Sequence, residues 1–148
     1  MRSRRIAVSV LVGAVIMACG PIVMIPGGEL SGTPTPVPES WEFTNEVDTI
    51  QVETRPEDPY SVNAWMVVYD GSPYVVAGEG LETTWARYLV EDPRLRLRVG
   101  DALYELRAVE ANDEATRDGF LEAARIKYDF DPADRPVDQA IVFRLEPR

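Results

Sequence analysis

Residues 94–99 constrain the fold more than any other stretch: Arg94-Leu95-Arg96-Leu97-Arg98-Val99 alternates without a break. A period of two puts three arginines on one face of an extended strand and three aliphatic side chains on the other, whereas a helix would scatter both sets. Gly100-Asp101 follows as a turn, and residues 102–109 resume the pattern with Tyr104, Leu106 and Ala108 on one face. The segment reads as an antiparallel hairpin with one buried and one solvated side, the arginines facing water. A lone hairpin is marginal in water, so the rest of the chain must supply further strands.

It does so. Residues 47–54 set Ile50 and Val52 against Gln51 and Glu53, and Arg55-Pro56-Glu57-Asp58-Pro59 then breaks the strand. Residues 63–69 are apolar enough for one strand buried on both faces, and Asp70-Gly71 turns the chain into residues 74–77. A last strand over 140–145 buries Ile141, Phe143 and Leu145. Two segments have helical spacing instead. Leu81, Trp85, Tyr88 and Leu89 predict a helix over 83–91, stopped by Asp92-Pro93. Asn112 or Asp113 caps a second over 112–127, with Phe120, Leu121, Ala124 and Tyr128 as its buried stripe and Gly119 costing about 1 kcal/mol relative to alanine. The fold class is therefore mainly β with two helices (α+β), in the order β-β-β-α-β-β-α-β. Six short antiparallel strands should close into a small barrel, because closure removes exposed edges.

At 148 residues the chain suits one domain. It contains no histidine, so no Ser/His/Asp or Cys/His machinery is available, and no catalytic residue is assigned. One cysteine permits neither an internal disulfide nor a thiolate metal cluster, and no metal site is expected; the acids around Phe130-Asp131-Pro132 lack calcium-loop spacing. A formal charge of −10 speaks against a nucleic-acid partner, which would need a basic face.

Residues 1–5 carry Arg2, Arg4 and Arg5, and residues 6–18 are thirteen without a charge, too short to span a bilayer but right for an export signal. The run ends Ile16-Met17-Ala18-Cys19-Gly20, which resembles the lipobox of bacterial lipoproteins. That resemblance implies cleavage after residue 18 and lipid on Cys19, with Gly20 suiting the inner leaflet of an outer membrane where the cell has one. Loss of the leader leaves 12 basic against 25 acidic residues, a surface that should stand off anionic lipid. Residues 19–40 hold prolines at 21, 26, 34, 36 and 38 and are expected to form an extended spacer, with the globular domain over 41–148.

The strand Ala64-Trp65-Met66-Val67-Val68-Tyr69, the Trp85-to-Leu97 segment with its Asp92-Pro93, and the Tyr104-Glu105-Leu106-Arg107-Ala108 strand resemble the split β-barrel of the pyridoxamine-phosphate-oxidase-like proteins, nitroreductase and deazaflavin branch. The resemblance implies FMN or deazaflavin in a groove between barrel and helix, commonly at a homodimer interface, and hydride chemistry carried by the cofactor. Carried onto this chain, the cofactor-binding candidates are Arg55 in the turn after the first strand, Gly80, Thr83, Thr84 and Trp85 around the first helix start, and Arg87. Glu57, Asp58, Glu79 and Glu82 crowd these positions and would repel a phosphate. Two roles stay open: a binding or accessory lipoprotein with a degenerate cofactor site, or a flavin- or deazaflavin-dependent oxidoreductase.

Overall fold

The computed structural model describes residues 27–134 and 137–148; the expected signal peptide, Cys19 and the stem up to residue 26 lie outside the described residues. Among the described residues the strands are β1 (Thr33–Pro34), β2 (Ile50–Thr54), β3 (Tyr60–Ala64), β4 (Met66–Tyr69), β5 (Ser72–Ala77), β6 (Arg94–Val99), β7 (Ala102–Glu110) and β8 (Ile141–Pro147). Helix α1 (Thr84–Glu91) follows β5, and α2 (Glu114–Tyr128) follows β7. The sheet runs β3-β2-β6-β7-β8-β5-β4, antiparallel throughout, with β1 added parallel to β7. Its two ends are one stretch of chain. Strand β3 pairs with β2 and β4 pairs with β5, yet only Trp65 separates β3 from β4, so a single bent strand curls the sheet into a split barrel.

The mainly β class with two helices is thus the observed one, and the hairpin of β6 and β7 has the expected register, Leu95 opposite Leu106 and Leu97 opposite Tyr104. The strand expected over 63–69 is instead two. Periodicity cannot reveal that bend, because its cause is distant in sequence: the Met66 N–H donates to the Tyr128 hydroxyl at 3.0 Å, and the Met66 carbonyl accepts from Tyr128 Oη at 3.0 Å and Lys127 Nζ at 2.7 Å. The end of α2 satisfies the backbone groups that the broken ladder leaves without a strand partner. The turn Asp70-Gly71 has positive φ at both residues, the conformation that a tight two-residue hairpin requires.

Val52, Met66, Val75, Leu95, Leu97, Leu106 and Phe143 fill the barrel, each essentially fully buried and each contributing about 1.5–3 kcal/mol by leaving water. On the outer face Val67, Tyr74 and Val142 pack against Phe120 and Ala124 of α2, so β4, β5 and β8 are covered on both sides. Asp113 caps α2 by accepting from the Thr116 amide at 3.0 Å, which holds its carboxyl below the usual range. Gly119 is explained by packing: a Cβ there would run into the Tyr69 ring. Leu81, expected on the buried side of the first helix, is instead exposed in the turn before α1.

Two further expectations need correction. Residues 27–40 are not a free spacer; they lie along the barrel. Gly27 and Ser61 exchange backbone hydrogen bonds, Leu30 is buried, and Thr33 and Thr35 donate to the carbonyls of Asp101 and Leu103. Pro34 falls between those two donors, where a missing N–H costs nothing, so a proline-rich stretch serves as a strap along the part of β7 that β8 does not reach. Nor are the arginines of β6 simply a solvated face. Arg96 pairs with buried Glu53 and donates to the Leu30 carbonyl, and Arg98 donates to the Ser31 carbonyl at 3.1 Å. They hold the strap.

Candidate functional site

A cavity of about 930 Å³ opens where the bent strand passes Trp65, β5 ends at Ala77, α1 begins, and the inner face of α2 and the loop after it come over the barrel. That is ample for an organic ligand. Its walls are aromatic and aliphatic: Trp65, Trp85, Phe120, Leu121, Phe130 and Val142. Trp65 stacks on Tyr128 with centroids 4.4 Å apart and rings 10° from parallel, and Phe130 stands 5.6 Å away. Trp85 reaches in from the barrel core, where it packs on Phe143 at 6.1 Å.

The bond network around Trp65 makes that wall stiff. Burial raises the Tyr128 hydroxyl pKa and lowers that of the Lys127 ammonium, the charge of Asp48 opposing the shift on Lys127. Lys127 also donates to the Thr44 carbonyl at 2.8 Å, tying the 3₁₀ turn at Glu42–Glu46 to the strand bend.

The polar lining is sparse. Half-buried Asn63 and Thr83 face the cavity, while Glu79, Asp138 and Gln139 stand exposed at its rim. Arg117 is the basic residue of the described lining, and both of its terminal nitrogens are engaged, Nη1 with the Ala140 carbonyl at 2.6 Å and Nη2 with that of Val137 at 2.8 Å. It holds the loop that forms the far wall.

Of the six residues singled out from the sequence, Thr83 and Trp85 line the cavity. Gly80 sits directly behind it at φ +55°, where a Cβ would strike the Gln139 carbonyl, so its role is to let two loops touch. Thr84 and Arg87 bond to each other on the exposed side of α1, and Arg87 also donates to the Leu81 carbonyl. Arg55 is elsewhere, ion-paired with Asp58 and 4.5 Å over the ring of Tyr88. Arg117, Phe130 and Asn63 were missed. Arg117 had a readable signal, since it shares the helical face of Phe120, Leu121 and Ala124, and a basic residue in a buried stripe must have partners.

No family model matches the chain, and no curated protein matches it in sequence. Solved structures resemble it in fold. A putative pyridoxamine 5'-phosphate oxidase from Listeria innocua superposes with a TM-score of 0.55 at 16% identity, covering 72% of this chain and 89% of its own. A conserved hypothetical protein from Mycobacterium tuberculosis gives 0.56 at 18% identity over 72% and 77%. A FAD-binding protein from Mesorhizobium loti gives 0.51 at 12% identity over 86% and 94%. The fold is a split β-barrel like that of these three structures. These identities establish the fold alone.

Among the described lining residues, no cationic side chain is left to hold the phosphate of a phosphorylated flavin. A phosphate dianion needs cationic or clustered N–H donors. Arg117 is bound to two carbonyls, Arg55 and Arg87 are engaged away from the described lining, and Glu79 and Asp138 add negative charge at the entrance.

Proposed function

We propose that this protein is an exported bacterial lipoprotein, anchored through Cys19, whose split barrel binds a small organic ligand in the cavity under α2 and acts in a binding or accessory role. One observation carries the binding half: a cavity of ligand size has aromatic walls, with Trp65 stacked on Tyr128, and its basic residue is committed to structure. The anchoring half rests on the sequence ending Ile16-Met17-Ala18-Cys19. With residues 27–40 strapped to the barrel, residues 20–26 bridge at most about 25 Å, so the domain would be held close above the bilayer. Two or three acyl chains would hold it firmly, where one would not.

Two measurements test the reading. Cys19→Ser should move the protein from the membrane fraction to the soluble fraction or leave it unprocessed; a processed variant that still sediments with membranes removes the anchor. Titration of the purified protein with FMN, followed by flavin fluorescence, should show no saturable binding. A stoichiometric flavin complex would favour the second reading, a flavin- or deazaflavin-dependent oxidoreductase, which has the fold and the cavity size behind it.

A further inference from the structure

Resting on the reading of this cavity as a ligand site, we infer that its ligand is a flat aromatic organic cation. The wall is built for a flat, electron-poor partner. Trp65, backed by Tyr128 and held in place by the hydrogen bonds of Tyr128 to Met66, stands with Phe130, Phe120 and Trp85 around the same space. Aromatic faces are negative at their centres, so they attract cations as well as apolar surface.

The rim selects charge. Glu79 and Asp138 flank the entrance, both exposed, and among the described residues neither is ion-paired with a lysine or arginine. Beside Asp138 stands Arg117, whose guanidinium is turned to the carbonyl oxygens of Val137 and Ala140, which lower the local positive potential. Among the described lining residues, two carboxylates stand against one carbonyl-bound guanidinium, a net negative set. The whole chain adds to this with its charge of −10, which draws cations toward the surface and holds anions away. Asn63 and Thr83 are neutral, half-buried hydrogen-bonding side chains in the lining, enough to orient a ring substituent.

The test uses three probes of one shape and different charge: 9-aminoacridine, a cation at neutral pH, acridine, neutral at pH 8, and acridine-9-carboxylate, an anion. Binding to the full chain in detergent is read by quenching of tryptophan fluorescence, since two of the three tryptophans line the cavity. The expected order is cation, neutral, anion, with about tenfold between the first and the last at low salt, the effect of two exposed carboxylates acting together. The ratio should shrink as ionic strength rises. In the double variant Glu79→Gln, Asp138→Asn the ratio should fall to about twofold. Both residues are exposed, so the melting temperature should not move. Trp65→Leu should weaken all three probes together. An equal or reversed order, or no saturable binding of any acridine, overturns the inference. FMN is titrated in parallel: its binding would defeat the parent reading, whereas failure of the acridines with FMN also unbound defeats the cation alone.

Discussion

Arg96 and Glu53 face each other across β6 and β2, Arg96 Nε donating to Oε1 at 2.7 Å and Nη2 to Oε2 at 2.9 Å. The carboxylate is only 3% exposed and also accepts the Leu30 N–H, so one buried group joins two strands to the N-terminal strap. The pair raises the pKa of Arg96, chiefly through its hydrogen bonds to Glu53. Breaking such a pair from one side leaves a half-buried guanidinium and a backbone N–H without an acceptor. Glu53→Ala should therefore cost about 3 kcal/mol in urea unfolding and admit protease to residues 27–40. The double replacement of Glu53 and Arg96 by methionine should recover most of that loss. A Glu53→Ala variant within about 0.5 kcal/mol of the parent would show that the strap is held by other bonds.

Tyr128 is the second joint, where the hydroxyl both accepts from the Met66 N–H and donates to its carbonyl. Tyr128→Phe keeps the ring on Trp65 but removes the acceptor for Met66 N–H, while Lys127 still serves the carbonyl. Loss of about 1–2 kcal/mol is expected. Because the bend also places Trp65 in the cavity wall, acridine affinity should fall with it, and amide exchange at Met66 should quicken. Unchanged exchange there would mean that the bend does not depend on the hydroxyl.

What the sequence made legible was local. Alternation and a turn define β6 and β7, Asp70-Gly71 defines the hairpin of β4 and β5, and Asp113 marks the start of α2, each through chemistry contained within about ten residues. The bend at Trp65 was not legible because its hydrogen-bond partner lies 62 residues away. The strap was misread because extended proline-rich backbone has the same dihedral angles whether it stands in water or pairs with an edge. At the cavity the first helix start yielded Thr83 and Trp85, but the opposite wall needed the packing of α2. Arg55 looked like a ligand for an anion by its position in the turn, and the fold gives it Asp58 and Tyr88 instead.

Gly80 offers a sharper test of the loops behind the cavity. Its φ of +55° suits glycine, and an added Cβ would strike the Gln139 carbonyl oxygen, a backbone atom that no rotamer change can move aside. Gly80→Ala should destabilise the fold by about 2–4 kcal/mol, the sum of backbone strain and forced separation of the loops. Gln139 lines the cavity, so probe affinity should drop as well. A melting temperature unchanged by the methyl group would contradict the close approach.

Glu146 gives a dependence on pH with a defined sign. It sits opposite Arg107 in the register of β7 and β8, accepting from Arg144 Nη2 and from Arg107 Nη2, each at 2.6 Å. Its carboxyl pKa lies below the ordinary 4.5, first because of the Arg144 hydrogen bond and then that of Arg107. A carboxyl with a depressed folded value stabilises the fold above its unfolded pKa and loses that contribution as pH falls through the folded one. Both arginines are more than 40% exposed, which limits the effect to under about 1 kcal/mol. Glu146→Gln should thus be slightly less stable than the parent at pH 7, and the gap between the two should close below about pH 4.5. Urea midpoints at pH 7, 5 and 3 measure it, and a gap that widens in acid would reverse the assignment.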